Sequence, residues 1–170
     1  MERRYYGIMA LRHYGMKPFI LCACLLFASA AWADFSGKVV AMIDGDTLEV
    51  MKDREAVRVR LYGIDCPEKK QAFGQRAKQA ASVLAFGKMV TVREHGRDRY
   101  GRTIGEVILQ DGRSLNRELV RLGLAWWYRQ YARKDAELEA LEKEARANKA
   151  GLWVDADPVP PWVWRRKGRK

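Results

Sequence analysis

Three carboxylates and two arginines stand at positions that suit metal-assisted chemistry on phosphate. Asp46 lies in Asp44-Gly45-Asp46-Thr47, and Asp65 and Glu68 flank the rigid Pro67 in Ile64-Asp65-Cys66-Pro67-Glu68. Hard cations such as calcium take carboxylate and carbonyl oxygens, which makes Asp46 and Asp65 candidate ligands. Arg60 precedes the second acidic group, and Arg102 closes Asp98-Arg99-Tyr100-Gly101-Arg102. A guanidinium grips phosphate through two parallel hydrogen bonds and keeps its charge at any working pH. Gly45 lets the backbone bend so that a carboxylate faces a cleft, though each motif alone has a plainer reading, since Asp-Gly is ordinary hairpin chemistry. Acids gathered in a chain with 32 Lys and Arg against 21 Asp and Glu, net charge +11, are harder to dismiss as solvated surface. The combination suggests metal-assisted phosphoryl chemistry.

The elements that must position these residues are short. Residues 38–43, 47–51 and 57–62 read as three strands broken at Asp44-Gly45 and Lys52-Asp53-Arg54. Val57, Val59 and Leu61 alternate with Arg58, Arg60 and Tyr62, which turns the arginines to the face opposite the valines and aims Arg60 toward a cleft. Residues 75–86 carry Ala77, Ala80, Ala81 and Leu84 at helical spacing, stopped by Gly87. Two further strands, 89–93 and 103–109, surround the polar loop holding Arg102. Helices are expected at 115–122 and 135–149, with Leu138, Leu141 and Ala145 inward. The order βββ-α-ββ-α-α is that of a five-stranded OB-fold barrel with three α-helices, a fold whose curved face binds oligonucleotides or oligosaccharides. One domain, residues 34–157, accounts for the length.

The two ends read differently. Arg3, Arg4, Arg12 and Lys17, the apolar run 19–30 and the small-x-small site Ala31-Trp32-Ala33 have the layout of a secretory signal peptide over residues 1–33. The exported chain then starts at Asp34 whether translation begins at Met1 or Met16, and is periplasmic or secreted with no membrane anchor. Loss of that segment removes four basic residues and one acid, so the basic excess belongs to the domain. Cys22 and Cys24 go with it, and Cys66 is left without a disulfide partner. The tail 158–170 reads as a frayed end whose Trp162 or Trp164 packs on the domain, with Arg165 and Arg166 outside the site.

The ordered set of motifs between Lys38 and Trp153, including Arg60-Leu61-Tyr62-Gly63-Ile64-Asp65-Cys66-Pro67-Glu68 and Asn116-Arg117-Glu118-Leu119-Val120-Arg121-Leu122-Gly123-Leu124-Ala125, resembles the thermonuclease, or staphylococcal-nuclease-like, family. The resemblance implies an OB-fold nuclease dependent on Ca²⁺, cleaving DNA and RNA to products with a 3′-phosphate. By matching position, Asp46 and Asp65 resemble the calcium carboxylates, with the backbone carbonyl of Cys66 as a further ligand. Glu68 resembles the residue that activates water, and Arg60 and Arg102 the pair that holds the scissile phosphate. Arg99, Tyr100, Tyr128 and Tyr131 are the candidate nucleic-acid contacts. Trp126-Trp127-Tyr128-Arg129 departs from the family pattern, and Tyr131 is the better match to a nucleotide-stacking tyrosine.

Other readings compete. A non-catalytic OB module would bind single strands through a basic groove and aromatic platforms, and a basic exported protein could coat anionic envelope surfaces. Neither needs all five catalytic and metal positions filled. Cys66 with His95 would make a thiol hydrolase pair if the two met in space. A free cysteine is more often a small buried hydrophobe, and Trp126, Trp127 and Trp153 are more often core anchors than base platforms. No stable protein partner is implied, and a monomer is expected.

Overall fold

Alternation with period two builds the barrel in the computed structural model, which describes residues 34–168. The expected signal peptide, with Cys22 and Cys24, lies outside those residues. Strands β1 (Phe35–Met42), β2 (Thr47–Lys52) and β3 (Glu55–Leu61) form an antiparallel meander. After the two-residue β4 (Ile64–Asp65) and helix α1 (Gly74–Ala85), strands β5 (Met89–Arg97) and β6 (Thr103–Ile108) pair with each other. Parallel pairing of β6 with β3 and antiparallel pairing of β5 with β1 close the barrel in the order β1-β2-β3-β6-β5. Val39, Leu48, Val50, Val59, Leu61, Val92 and Val107 fill it. The five expected strands and the OB-fold class are therefore present.

Helix α2 (Leu115–Arg121) packs on α3 (Ala136–Ala147), and α1 lies against β1 and α2. The inner face of α1 is Ala77, Ala81 and Ala85, all without exposure, so a small-residue face brings this helix close to the barrel. Asn116 of α2, nearly inaccessible, accepts from the Val107 amide at 3.0 Å and donates to the Tyr62 carbonyl at 2.9 Å. It thereby ties α2 to β6 and to the turn that leads into Asp65.

Four elements were not expected, the two-residue β4 among them. Strand β7 (Trp126–Trp127) pairs with β4, a contact too short to carry a periodic signal. A 3₁₀ turn covers Gly151–Val154. The tail is not frayed: α4 (Pro161–Lys167) is a fourth helix. Pro161 at its first position fixes a helical φ where no amide donor is needed, and Trp162 packs against a second cluster made by Trp126, Ala145, Leu152 and Trp153. The prolines before it and the basic run after it are what make the sequence read as an end. Among the described residues no helix is long and apolar enough to cross a membrane.

Candidate active site

The β1–β2 turn reaches the site because Gly45 has no side chain. A Cβ there would lie 2.8 Å from Cys66 Cβ and 2.9 Å from Ala77 Cβ, closer than side-chain atoms pack. Its φ is not in the left-handed region, so close approach rather than the expected freedom to bend is what requires glycine. The Leu61 amide donates to the Asp46 carbonyl at 2.9 Å and fixes the turn to the end of β3. Gly45→Ala is expected to force the turn off Cys66, costing about 1–3 kcal/mol as overpacking does and moving Asp46. Thermal unfolding together with cleavage rate checks this, and an unshifted Tm with full activity would contradict it.

Arg60, Asp46 and Asp65 meet as the sequence predicts. One terminal nitrogen of Arg60 lies 2.8 Å from Asp65 Oδ1 and 3.1 Å from Asp46 Oδ2, while the other donates to the carbonyls of Leu61 and Ile64 at 3.1 and 3.0 Å. Both carboxylates are buried, Asp65 almost completely. The Cys66 amide donates to Asp46 Oδ2 at 2.7 Å, which sets the Cys66 backbone beside both acids. Burial works against the charged form of Arg60, but Asp46 and then Asp65 outweigh it and hold its pKa up. Burial pushes Asp65 up, opposed by a hydrogen bond from Arg165, while Asp44, half-buried and next to the Asp46 charge, is pushed up to about 6.

The expectation that Arg165 lies outside the site is wrong. From α4 it donates to Asp65 Oδ2 at 2.7 Å, to Asp65 Oδ1 at 3.2 Å and to Glu68 Oε1 at 2.7 Å. Burial disfavours its charge, but the hydrogen bonds to Asp65 and Glu68 raise its pKa. Two further residues hold α4 there: Gln71, which sequence reasoning missed, and Trp162, which packs on the domain as expected. Gln71 accepts from the Glu68 amide at 3.1 Å and donates to the Val159 carbonyl. Trp162 stacks on Tyr128 at 5.3 Å and 5°. The available signal was the spacing: Trp162 and Arg165 are three apart after a proline, hence on one face of a helix.

Arg102 shares no hydrogen bond or ion pair with Asp46, Asp65 or Glu68 among the described residues. Arg60 is in parallel register with Ile104, so Arg102, two residues before Ile104, belongs to the face that carries Arg60. Its Nε donates to Asp98 Oδ2 at 2.7 Å, and its terminal nitrogens have no protein acceptor among the described residues. Arg99 and the exposed Tyr100 sit at the tip of the same loop, Arg99 stacked over the Tyr100 ring at 4.8 Å. Tyr131, also exposed, meets Tyr128 edge-on at 4.9 Å, so Tyr131 has the freer ring.

The thiol pair is not formed. Cys66 is buried among Gly45, Ala77 and the acids, and burial followed by the Asp46 charge pushes its thiol well up. His95 instead stacks on Tyr62 at 4.1 Å, with Asp34, Arg117 and Asp135 as its charged neighbours. Trp126, Trp127 and Trp153 are buried, as anchors should be.

Among the described residues no three His, Cys, Asp or Glu side chains form a ready metal cage. The donors still fit a hard cation bound by few protein ligands, since carboxylate oxygens of Asp65 and Glu68 already converge on one cationic group, the Arg165 guanidinium.

The model of the family described as staphylococcal nuclease homologue matches residues 58–155, which include Arg60, Asp65, Glu68 and Arg102 but not Asp46 or α4. Relatives include an "Uncharacterized endonuclease" of Escherichia coli, 48% identical over 89% of this chain and 99% of its own. A "Micrococcal nuclease" of Shigella flexneri is 46% identical over 91% of this chain and 94% of its own. The "Staphylococcal-like nuclease CAN1" of Arabidopsis thaliana is 38% identical over 66% of this chain and 34% of its own.

Proposed function

Because this chain belongs to the staphylococcal nuclease homologue family and is an endonuclease that hydrolyses phosphodiester bonds, we propose that it is exported, depends on calcium, acts on DNA and RNA as a monomer and leaves 3′-phosphate ends. The observation that carries the reading is the clasp of Asp46 and Asp65 by Arg60, with Glu68 beside them on the turn after β4. Its nuclease relatives set aside the non-catalytic OB module.

In this reading Asp46, Asp65 and the Cys66 carbonyl hold the cation. Bound calcium supplies Lewis-acid polarisation of the phosphate and neutralises its charge. Glu68 takes a proton from water as the water oxygen bonds to phosphorus. The bond from phosphorus to the 5′ oxygen breaks, that oxygen gains a proton, and a 3′-phosphate and a 5′-hydroxyl result. The free fork of Arg102, and Arg60 once the cation takes over its two acids, would face the equatorial oxygens, where charge builds up. Tyr131, with Arg99 and Tyr100 on the opposite loop, contacts neighbouring nucleotides by stacking and charge.

Enzyme stripped with a chelator is expected to regain cleavage with added calcium and not with magnesium, which is smaller, holds its water shell more tightly and adapts less readily to an irregular set of ligands. Full activity in chelator, or restoration by magnesium alone, would overturn the calcium reading. For export, protein recovered from its native host is expected to start at or within a few residues of Asp34. A Met1 or Met16 start retained in the membrane fraction would contradict it.

A further inference from the structure

Two groups that the proposed chemistry needs, Asp65 and Glu68, and a further aromatic face, that of Tyr128, are covered by one short helix. Arg165 takes both oxygens of Asp65 and one of Glu68. Trp162 lies flat on the Tyr128 ring, a face that would otherwise be open to a base. The Gln71 bridge ties the strand entering α4 to the Glu68 backbone. A cation cannot bind Asp65 while a guanidinium holds both of its oxygens, and a carboxylate oxygen of Glu68 donated to by Arg165 is not free for water.

The helix is also lightly held. Pro161 is its one buried residue, Trp162, Val163 and Arg165 are half-buried, and Trp164, Arg166 and Lys167 are exposed. Besides the Gln71 bridge and the edge-on contact of Trp162 with the Trp126 cluster, its anchorage is the stack on Tyr128 and the Arg165 ion pairs to Asp65 and Glu68, and these last two have replacement partners when substrate arrives. A base can take the Tyr128 face, and a phosphate can take the Arg165 fork.

We propose that α4 is an autoinhibitory latch, with Arg165 standing in the cation's place and Trp162 in a base's place, released when metal and a polyanion bind together. The proposal rests on the reading of Asp65 as a metal ligand. A latch of this kind lowers apparent affinity by the fraction of molecules that are open. If nine molecules in ten are closed, removing the latch tightens calcium binding about tenfold. The latch sits outside the segment that the family model matches.

The test is calcium titration by calorimetry on the full chain, comparing the unmodified protein with Arg165→Met, Trp162→Ala and Asp65→Asn, each checked for native near-UV circular dichroism. Arg165→Met is expected to bind calcium about tenfold tighter, Trp162→Ala tighter by less, and Asp65→Asn to bind weakly or not at all. A second readout is trypsin cleavage at Arg165 and Arg166 in the unmodified protein, expected to speed up when calcium and a single-stranded oligonucleotide are added together. Unchanged or weaker calcium binding in Arg165→Met, with Asp65→Asn defective, would overturn the latch and leave the metal site standing. Undiminished binding in Asp65→Asn would take down the site reading and the latch with it. Should Arg165→Met not fold, protection of the tail from trypsin in the presence of calcium and oligonucleotide would overturn the latch by itself.

Discussion

Glu68→Gln is expected to slow single-turnover cleavage of a labelled oligonucleotide by ~10²- to 10⁴-fold, the range lost with a general base. Glutamine keeps the length and an acceptor oxygen, so the contact that Glu68 makes with Arg165 and the turn held by Gln71 both survive. What disappears is the capacity to take a proton from water. Oligonucleotide affinity, read by fluorescence anisotropy in calcium, is expected to stay within a few-fold, because the change removes one negative charge and no phosphate contact. Cleavage by Glu68→Gln at nearly the unmodified rate, still dependent on calcium, would remove Glu68 from the role of base.

Asp46→Ala is expected to fail in another way. It takes away a carboxylate from the cation and also unties two contacts, the Cys66 amide at 2.7 Å and the Arg60 guanidinium at 3.1 Å. Half-maximal activity is expected to need at least ~10-fold more calcium, since even residues that only orient metal ligands cost 10- to 100-fold in affinity. The rate at saturating calcium falls too, because Arg60 loses one of the two acids that hold it. Asp46→Asn separates the effects: an amide oxygen still accepts from Cys66, so its stability should stay closer to the parent while calcium affinity remains poor. Calcium titration of cleavage, beside thermal unfolding, measures both. Normal calcium requirement in both variants would exclude Asp46 as a ligand.

The fold was legible where long periodic signals exist. Alternation along residues 57–62 placed Arg60 on the outer face of β3, and the alanine spacing placed α1, because both patterns repeat over several residues. The pairing of β4 with β7 was not legible, since two-residue strands carry no period and the partners are far apart in sequence. Asp46, Arg60 and Asp65 were found together because the turn after β1 and the end of β3, alternate strands of an antiparallel meander, fall on the same side of the barrel. Arg165 was missed for a related reason: nothing local in Arg165-Arg166-Lys167 distinguishes an arginine inserted between two acids from a solvated basic end. The docking depends on Trp162 finding Tyr128, and on Gln71 reaching the carbonyl of Val159, contacts that only tertiary structure reveals. Gly45 illustrates the converse, a correctly chosen residue with a different cause: it is needed for packing against Cys66 and Ala77 rather than for a bend.

The central claim is that calcium-dependent attack by water at this site breaks the bond to the 5′ oxygen. Cleavage of a defined oligonucleotide in ¹⁸O-water, with product masses read after a single turnover in calcium and in chelator, tests it most directly. One ¹⁸O is expected in each new 3′-phosphate, with unlabelled 5′-hydroxyl partners and no cleavage in chelator. Products ending in a labelled 5′-phosphate, or the same cleavage in chelator as in calcium, would contradict it.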